Sequence, residues 1–407
     1  MSFNPWPVVR AQWMAYRWMA WLTLMLVALA VATGVAVIAQ ERALRQGSAR
    51  AADDFDLLVG APGSATQLVM TSIYLRPQAV PLLDASVLNR LTNAPGVKYA
   101  APIAFGDRWR GYPIVGTTVD LAARGGELKI VEGRLFTHRQ EAVIGARVPL
   151  ALGEKIHPQH GLDDDDGDAQ EHHEHQAKTY TVVGRLPARN NVWDQAILVP
   201  VEDVWQLHGL PDGHALVDRA RIGPPWDASR LSGVPAVAVK PDSVATAYRL
   251  RGEFRGHESM ALFPAEVLNE LYLTLGNVRD LMTALTLSTQ VLVVLAILMA
   301  VLLSLVARRK QWAVLQAMGA SRAYVLWAIW LEVAGLLVAG AVLGVGRGWA
   351  FAQGLSWWLA RNLGFALPVQ LGWQEWRLVL GLLLASALIV LIPALVQSHR
   401  EIVEDLM

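Results

Sequence analysis

The sequence predicts a membrane protein with four transmembrane helices and a large extracytoplasmic α+β domain. The chain has 407 residues, of which 54% are hydrophobic and only 17% are charged, whereas a typical soluble domain carries about 25% charged residues. The apolar residues are concentrated in four long runs, and a segment with strand and helix patterns separates the first run from the other three. These two observations together define the predicted fold class.

The four apolar runs are the predicted transmembrane helices. Crossing about 30 Å of hydrocarbon takes about 20 helical residues, and each run has about that length. Only the third run contains a charged residue, Glu332. The spans are predicted at residues 19–39, 285–307, 325–345 and 378–397.

The positions of the basic residues predict the orientation of the chain. Lys and Arg are more frequent in the segments that face the cytoplasm, and here they favour residues 1–18, 308–324 and 398–407 over the short loop 346–377. We therefore expect both termini in the cytoplasm and residues 40–284 outside. Equal numbers of basic and acidic residues, 35 of each, give no indication of nucleic-acid binding.

Residues 40–284 are long enough for a domain with its own core. A strand at 56–59, a helix to residue 92 that Asp84 caps, and a strand at 97–104 form one strand–helix–strand unit. A strand at 236–239, a helix to residue 254 that Asp242 caps, and a strand at 260–263 form a second. We predict that these split βαβ units build an α+β domain, and that the strands between them form an inserted β-rich subdomain, at 112–119, 141–144, 179–183 and 196–199.

The most informative segment follows the second predicted span. It begins with three basic residues, continues as an amphipathic stretch, and is interrupted by Gly319, after which Ser321 can cap the next helix. A short helix on the cytoplasmic surface could hold a soluble partner, and an ordinary positively charged loop is the alternative. On the residues alone, both interpretations stay open.

This segment resembles the signature of FtsX-like permeases, the membrane subunits of MacB- and LolC/LolE-type ABC systems. Three stretches of the segment 40–284 are similar to the MacB-type periplasmic core: DLLVGAPGSATQ from Asp56, EGRLF from Glu132 and EAVIG from Glu141. The resemblance places the permease domain at 285–400. It assigns coupling to an ATPase to Arg308, Arg309, Lys310, Leu315, Met318, Gly319, Ala320, Ser321 and Arg322.

The resemblance implies a non-catalytic subunit in a bacterial inner membrane with its large domain in the periplasm. Two permeases, identical or paralogous, would pair with two cytoplasmic ABC ATPase subunits. These ATPase subunits, and not the permeases, would bind ATP. The spans would relay ATPase movements to the periplasmic domain by mechanotransmission, acting on a lipoprotein, a peptide, a small molecule or a metal-linked substrate. A phosphate-binding loop needs a Gly-Lys pair, and the sequence has none. The alternatives are an FtsX-like regulator of an extracytoplasmic enzyme and a membrane-anchored metal-binding receptor.

The third predicted span contains two further candidate features. A charged residue in a span usually faces the helix bundle or water, so Glu332 is a functional candidate, with snorkelling to the interface as the alternative. Small residues four positions apart allow helices to approach closely. This pattern predicts helix packing, with a dimer interface as one version of it, at Gly335, Ala339, Gly340 and Gly344.

A histidine- and aspartate-rich loop at 157–175 is the remaining candidate site. Imidazole and carboxylate groups are ligands of zinc, and histidine-rich tracts often bind metal. We hypothesise zinc binding by His157, His160, His172, His173 and His175, and the alternative is a solvated acidic loop. No cofactor is expected to bind elsewhere in the chain.

Overall fold

The computed structural model describes residues 4–76, 78–160, 179–274, 309–363 and 367–399, together with single residues between 284 and 302. Contacts divide the chain into two units. The helical unit comprises residues 1–45, 276–359 and 367–407, and the sheet unit comprises residues 46–275 and 360–366. Arg308, most of the histidine-rich loop and all but scattered residues of the predicted second span lie outside the described residues.

The α-helices are, in chain order, α1 (Trp6–Ala15), α2 (Arg17–Ala52), α3 (Ala65–Ser72), α4 (Ala85–Thr92), α5 (Val119–Ala122), α6 (Val201–Leu207), α7 (Val244–Glu253), α8 (Pro264–Thr274), α9 (Arg309–Ala317), α10 (Arg322–Leu363) and α11 (Trp373–His399). The strands are β1 (Leu57–Gly60), β2 (Val97–Trp109), β3 (Tyr112–Thr117), β4 (Glu132–Gly133), β5 (Glu141–Ile144), β6 (Lys155–Ile156), β7 (Gln159–His160), β8 (Tyr180–Arg185), β9 (Ile197–Pro200), β10 (Ala236–Pro241) and β11 (Met260–Leu262). Single 3₁₀ turns cover Val192–Gln195, Leu216–Asp218 and Ala228–Arg230.

Within the described residues, α2 and α10 are the helices that are long and apolar enough to cross a membrane. They contain the predicted spans 19–39 and 325–345, and α11 contains the predicted span 378–397. Two such helices do not confirm the predicted four. The segment 346–377 differs from the predicted loop, because α10 continues to Leu363. No proline occurs between residue 322 and Pro368, so the chain has no strong helix breaker over that distance.

The helical unit has its own hydrophobic core. Buried residues of α2, α10 and α11 form one cluster, and α9 contributes Trp312, which is 2% exposed. Large apolar side chains remain exposed on the outside of the same unit, among them Leu29 at 67% and Leu388 at 68%. Exposed apolar surface of this kind is typical of helices that face lipid.

The sheet unit contains both predicted strand–helix–strand units, and they interleave. The strand order is β11-β1-β10-β2, and every neighbouring pair is antiparallel. As a result β1 and β2 are parallel with β10 between them, and β10 and β11 are parallel with β1 between them. This is the ferredoxin-like split βαβ arrangement. Two parts of the chain that are about 130 residues apart in sequence must therefore pair for either unit to form.

The predicted helix caps are partly right. Asp84 caps α4, since its Oδ1 accepts a hydrogen bond from the Ser86 N–H at 2.8 Å. Asp242 does not cap α7, because the Oγ of Ser243 accepts the Thr246 N–H at 3.2 Å instead. The Asp242 carboxylate accepts the Thr246 hydroxyl at 2.6 Å. Asp242 and Ser243 can both cap a helix. Because strand β10 ends at Pro241, the helix cap lies at Ser243, one residue later than predicted.

The strands between the two split units extend the same sheet in the order β2-β3-β9-β5-β8-β4. The pairs β3–β9 and β5–β8 are parallel, so the sheet is mixed. The predicted strand 112–119 ends at Thr117, because Val119 begins α5. Buried residues from the split units and from the inserted strands form a single cluster. The insertion is thus continuous with the α+β core.

Buried charge networks hold loops of the sheet unit together. Asp54 lies 2.7 Å from Arg124 and also pairs with Arg189, and its Oδ2 accepts the Asn191 amide at 2.7 Å. Burial lowers the pKa of Arg189, although Asp54 opposes that shift. Residues from three distant loops therefore meet at one carboxylate.

Candidate functional site

The segment from α9 to α10 is a helix–turn–helix with defined ends. The Gly319 N–H donates to the Gln316 carbonyl at 2.9 Å, and the Ala320 N–H donates to the Leu315 carbonyl at 3.0 Å. These two bonds form a Schellman motif, in which the residue after the helix takes a left-handed conformation. Gly319 has φ +98°, a backbone conformation that favours glycine over residues with a Cβ.

The next helix starts immediately after this turn. The Ser321 Oγ accepts the Tyr324 N–H at 3.3 Å, so Ser321 caps α10 as the sequence predicts. Because both ends of the turn are fixed by hydrogen bonds, α9 and α10 are joined without a flexible linker. The turn between the two helices is therefore well defined.

The two faces of α9 differ in burial. Trp312 and Ala313 are 2% and 4% exposed, and Trp312 belongs to the same cluster as Val325 and Ile329 of α10. On the other face Val314 is 46% exposed. The helix is anchored in the helical unit by its tryptophan and presents the opposite side to solvent.

The predicted coupling residues include both packed and solvent-exposed side chains. Leu315 packs against the core of the helical unit, and Ala320 is half-buried. Arg308 lies outside the described residues, and Arg309 is the first residue of α9. The solvent-exposed members are Lys310, Met318, Gly319, Ser321 and Arg322.

The N-terminal helix α1 lies beside α9. The Gln311 Nε2 donates to the Tyr16 hydroxyl at 3.0 Å. An open groove of about 600 Å³ lies between the two helices, and its lining is mostly apolar. The sequence predicted no role for α1, although its tryptophans and arginines mark it as an interfacial segment.

Glu332 is 7% exposed, so its side chain faces the interior of the helical unit. This excludes a lipid-facing position. Of the predicted small residues, Gly340 and Gly344 face α2: a Cβ at Gly344 would lie 2.6 Å from the Val31 Cβ, and one at Gly340 would lie 2.7 Å from the Val27 Cβ.

The other two small residues do not continue this contact. A Cβ at Gly335 would lie 2.8 Å from the Trp13 ring, and Ala339 is exposed. Gly348 continues the contact with α2 at Ala32, which the sequence did not single out. The close helix approach is therefore made within one chain, and the glycines at 340 and 344 are not available for a dimer interface.

A buried ion pair near the start of α11 was missed from the sequence. The Arg42 Nη2 on α2 lies 2.7 Å from the Glu375 Oε2, and Glu375 is 2% exposed. The same Glu375 oxygen accepts the Gly372 N–H at 2.9 Å, which is the return bond of a capping box. The spacing of Gly372 and Glu375 is the signal that could have indicated this contact.

The sheet unit has a cavity of about 390 Å³ next to a bulge in β2. The bulge places Asp107 in the lining, where it is 2% exposed and its Oδ2 lies 3.1 Å from the His208 Nε2. Phe105 and Val115 supply apolar surface. Bulges often occur next to binding sites.

The histidine-rich loop is described only at its start. His157 is exposed, and His160 ends β7, where the strand register sets it opposite Asp107 of β2. His172, His173 and His175 lie outside the described residues. The described part of the chain contains no group of three or more side chains arranged to hold a metal ion.

Comparison with known proteins gives one family match. Residues 284–402 match the family described as FtsX-like permease C-terminal. No curated protein matches the sequence. The solved periplasmic region of MacB from Actinobacillus actinomycetemcomitans is similar, with a TM-score of 0.33 and 11% identity over 54% of this chain and 95% of that chain. A TM-score this low gives the likeness no weight for function.

Proposed function

We propose that this chain, an FtsX-like permease through its residues 284–402, is the membrane subunit of an ABC transporter that works by mechanotransmission. A separate cytoplasmic ATPase docks on the exposed face of α9 and supplies the ATP hydrolysis. Four spans and a periplasmic sheet unit belong to the same proposal. The predicted relationship to FtsX-like permeases is confirmed for residues 284–402.

The geometry of α9 is the observation that carries the proposal. A docking helix must present one face to a partner and hold the other face rigidly in the membrane subunit. Val314 and Met318 are exposed by 46% and 73%, whereas Trp312 is buried in the core of the helical unit. The hydrogen-bonded turn at Gly319 joins this helix to α10.

A cavity in the sheet unit supports a role in ligand binding. The cavity beside Asp107 combines aromatic surface with two arginines, Arg76 and Arg108. Such a lining suits a ligand with an apolar part and an acidic group, which is compatible with a lipoprotein or a peptide. A regulator of a cell-wall enzyme would use the same domain, and the identity of its extracytoplasmic ligand would separate the two functions.

Co-purification tests the docking proposal directly. The detergent-solubilised chain should recover an ATPase with a phosphate-binding loop, and the complex should hydrolyse ATP. The double variant Lys310→Glu, Val314→Asp should reduce recovery about tenfold or more, because both side chains are exposed and line the open groove beside α1. Arg377→Glu is the matched control, since Arg377 is exposed on α11, and it should leave recovery unchanged. Failure to recover any ATPase with the unaltered chain would overturn the proposal.

We also propose that the loop 157–175 binds zinc. Seven Asp or Glu residues and five histidines lie in 19 positions, and carboxylate and imidazole are zinc ligands. The start of the loop pairs through β7 with β2 beside the buried Asp107, which lies 3.1 Å from His208. Zinc titration of the full chain should lose a binding step when the three histidines between 172 and 175 become Asn. His257→Asn, an exposed histidine elsewhere, is the control, and equal binding by all three proteins would contradict the proposal.

A further inference from the structure

The helix α1 has two chemically different faces. Val9 and Gln12 are 0% and 7% exposed and pack against the helical unit. Trp6, Arg10 and Met14 follow at intervals of four residues, which places them on one side of a helix, and all three are exposed. The inner face attaches the helix, and the outer face remains uncovered by the described residues.

The outer face of α1 forms an open groove of about 680 Å³ that ends at Arg17, the first residue of α2. Its lining consists of two tryptophans, one methionine and two arginines, namely Trp6, Arg10, Trp13, Met14 and Arg17. The rings of Trp6 and Trp13 meet edge to face, with centroids 5.5 Å apart and an interplanar angle of 83°. Trp13 is fixed in turn by its contact with Gly335. The aromatic wall of the groove is therefore held in place.

The groove carries uncompensated positive charge. The first 40 residues contain Arg10 and Arg17 but no Asp or Glu. Neither guanidinium has an ion-pair partner within the described part of the chain, in contrast to Arg42, which pairs with Glu375. A guanidinium binds phosphate oxygens well because its donors form a planar fork. The charge of the groove thus fits an anion.

The surroundings show which kind of anion fits. Met14 and Trp18 are 63% and 79% exposed, so the basic pair lies beside apolar surface that a free anion would not cover. Tryptophan is enriched where acyl chains meet headgroups. A phospholipid supplies both a phosphate for the arginines and acyl chains for the apolar side chains.

We propose that the outer face of α1 binds the headgroup of an anionic phospholipid, with the phosphate between Arg10 and Arg17 and the acyl chains against Met14 and the tryptophans. The placement in the cytoplasmic leaflet rests on the orientation in the proposed function, but binding itself does not need an ATPase. The Tyr16–Gln311 hydrogen bond of 3.0 Å joins α1 to α9. A bound lipid therefore also steadies α9.

Native mass spectrometry of the detergent-solubilised full chain tests the proposal. Phosphatidylglycerol should bind in preference to phosphatidylcholine. The variant Arg10→Gln, Arg17→Gln should weaken phosphatidylglycerol binding about 30-fold, which corresponds to about 2 kcal/mol for two basic residues near an anionic surface. Arg377→Gln is the matched control, because it is an exposed arginine beside exposed Trp376 and Trp373, and it should bind like the unaltered chain.

Three results would overturn the proposal. They are equal binding of both lipids, unchanged binding by the double variant, and inorganic phosphate competing as strongly as the lipid, which would indicate a simple anion site. Hydrogen exchange of residues 309–317 gives a second readout: phosphatidylglycerol should slow it in the unaltered chain and leave it unchanged in the double variant. Both measurements omit the ATPase, so a failure here is distinct from a failure of the docking proposal.

Discussion

One contact in the sheet unit and one in the helical unit show two different ways of stabilising a fold. In the sheet unit, Asp54 gathers two arginines and an asparagine from distant loops. In the helical unit, the contact between α10 and α2 depends on Gly340 and Gly344, where any side chain would collide. The first contact is directional and electrostatic, and the second depends on shape.

This difference follows from the solvent. Lipid offers helices no hydrophobic driving force for association, so close packing of small residues takes its place. Water lets a soluble domain use burial, and buried charges there must be paired. A contact made only by shape allows small shifts of one helix along another. A network of directional bonds resists them.

The largest expected effect comes from breaking the charge network. Asp54→Ala removes the shared partner of Arg124 and Arg189, whose side chains are 21% and 13% exposed. Breaking a buried pair costs about 3–5 kcal/mol because it leaves charge uncompensated. Urea denaturation, monitored by hydrogen exchange of the strands β2 and β3, would measure the loss of stability in the sheet unit.

A surface pair of the same unit supplies the control. Arg249 and Glu253 are 45% and 53% exposed and lie 3.0 Å apart. Glu253→Ala should cost about 0.5 kcal/mol or less, because solvent screens exposed pairs. If both variants lost the same stability, burial would not be what makes the Asp54 network important.

The second prediction concerns the glycine contact. Gly344→Ala should destabilise the helical unit by about 1–3 kcal/mol, the usual cost of overpacking, since its Cβ would lie 2.7 Å from the Ala28 carbonyl oxygen. Gly346→Ala is two residues away in the same helix and meets nothing within 4 Å. It should be neutral or stabilising, because Ala favours helix over Gly.

Thermal melting of the detergent-solubilised chain would compare the two glycine variants. Equal melting temperatures for Gly344→Ala and Gly346→Ala would show that α10 does not approach α2 closely at this point. A dimer interface at Gly344 would then return as an explanation of the small-residue pattern. The pair of variants therefore also tests whether Gly344 packs within one chain or between two chains.

Local signals carried most of what the sequence could predict. The turn at Gly319 and the cap at Ser321 depend on residues within a few positions of each other, and both were predicted. The strands of the split units were likewise evident from short apolar runs. The partner of the glycines in α10 could not be predicted, because α2 is about 300 residues away in sequence.

Long-range polar contacts were missed for the same reason. Arg42 and Glu375 are separated by 333 positions, and the spacing of Gly372 and Glu375 indicates a helix cap but not the partner Arg42. The groove on α1 was missed because the basic residues of the segment 1–18 were used only to predict the orientation of the chain. Its lining residues follow a helical spacing, so the common face could have been found in the sequence.

The smallest expected effect is a pH dependence in the sheet unit. Arg134 donates hydrogen bonds to Glu141, and the Thr137 and His138 N–H groups donate at 2.8 and 3.1 Å. The Arg134 bond is the main cause that lowers the pKa of Glu141 to about 2. A carboxyl group with a lowered pKa stabilises the folded state above its ordinary pKa of about 4.3. That contribution is lost as the pH falls from there toward 2.

Glu141→Gln should therefore flatten the fall in melting temperature between about pH 4.3 and 2. Glu253→Gln, in the exposed pair with Arg249, serves as the control and should keep the unaltered slope. The loss of stability caused by Gly344→Ala should be the same at both ends of this pH range, because a steric collision involves no ionisable group. A Gly344→Ala effect that changed with pH would mean that the helical unit also depends on charge at that contact, and the distinction between the two units would fail.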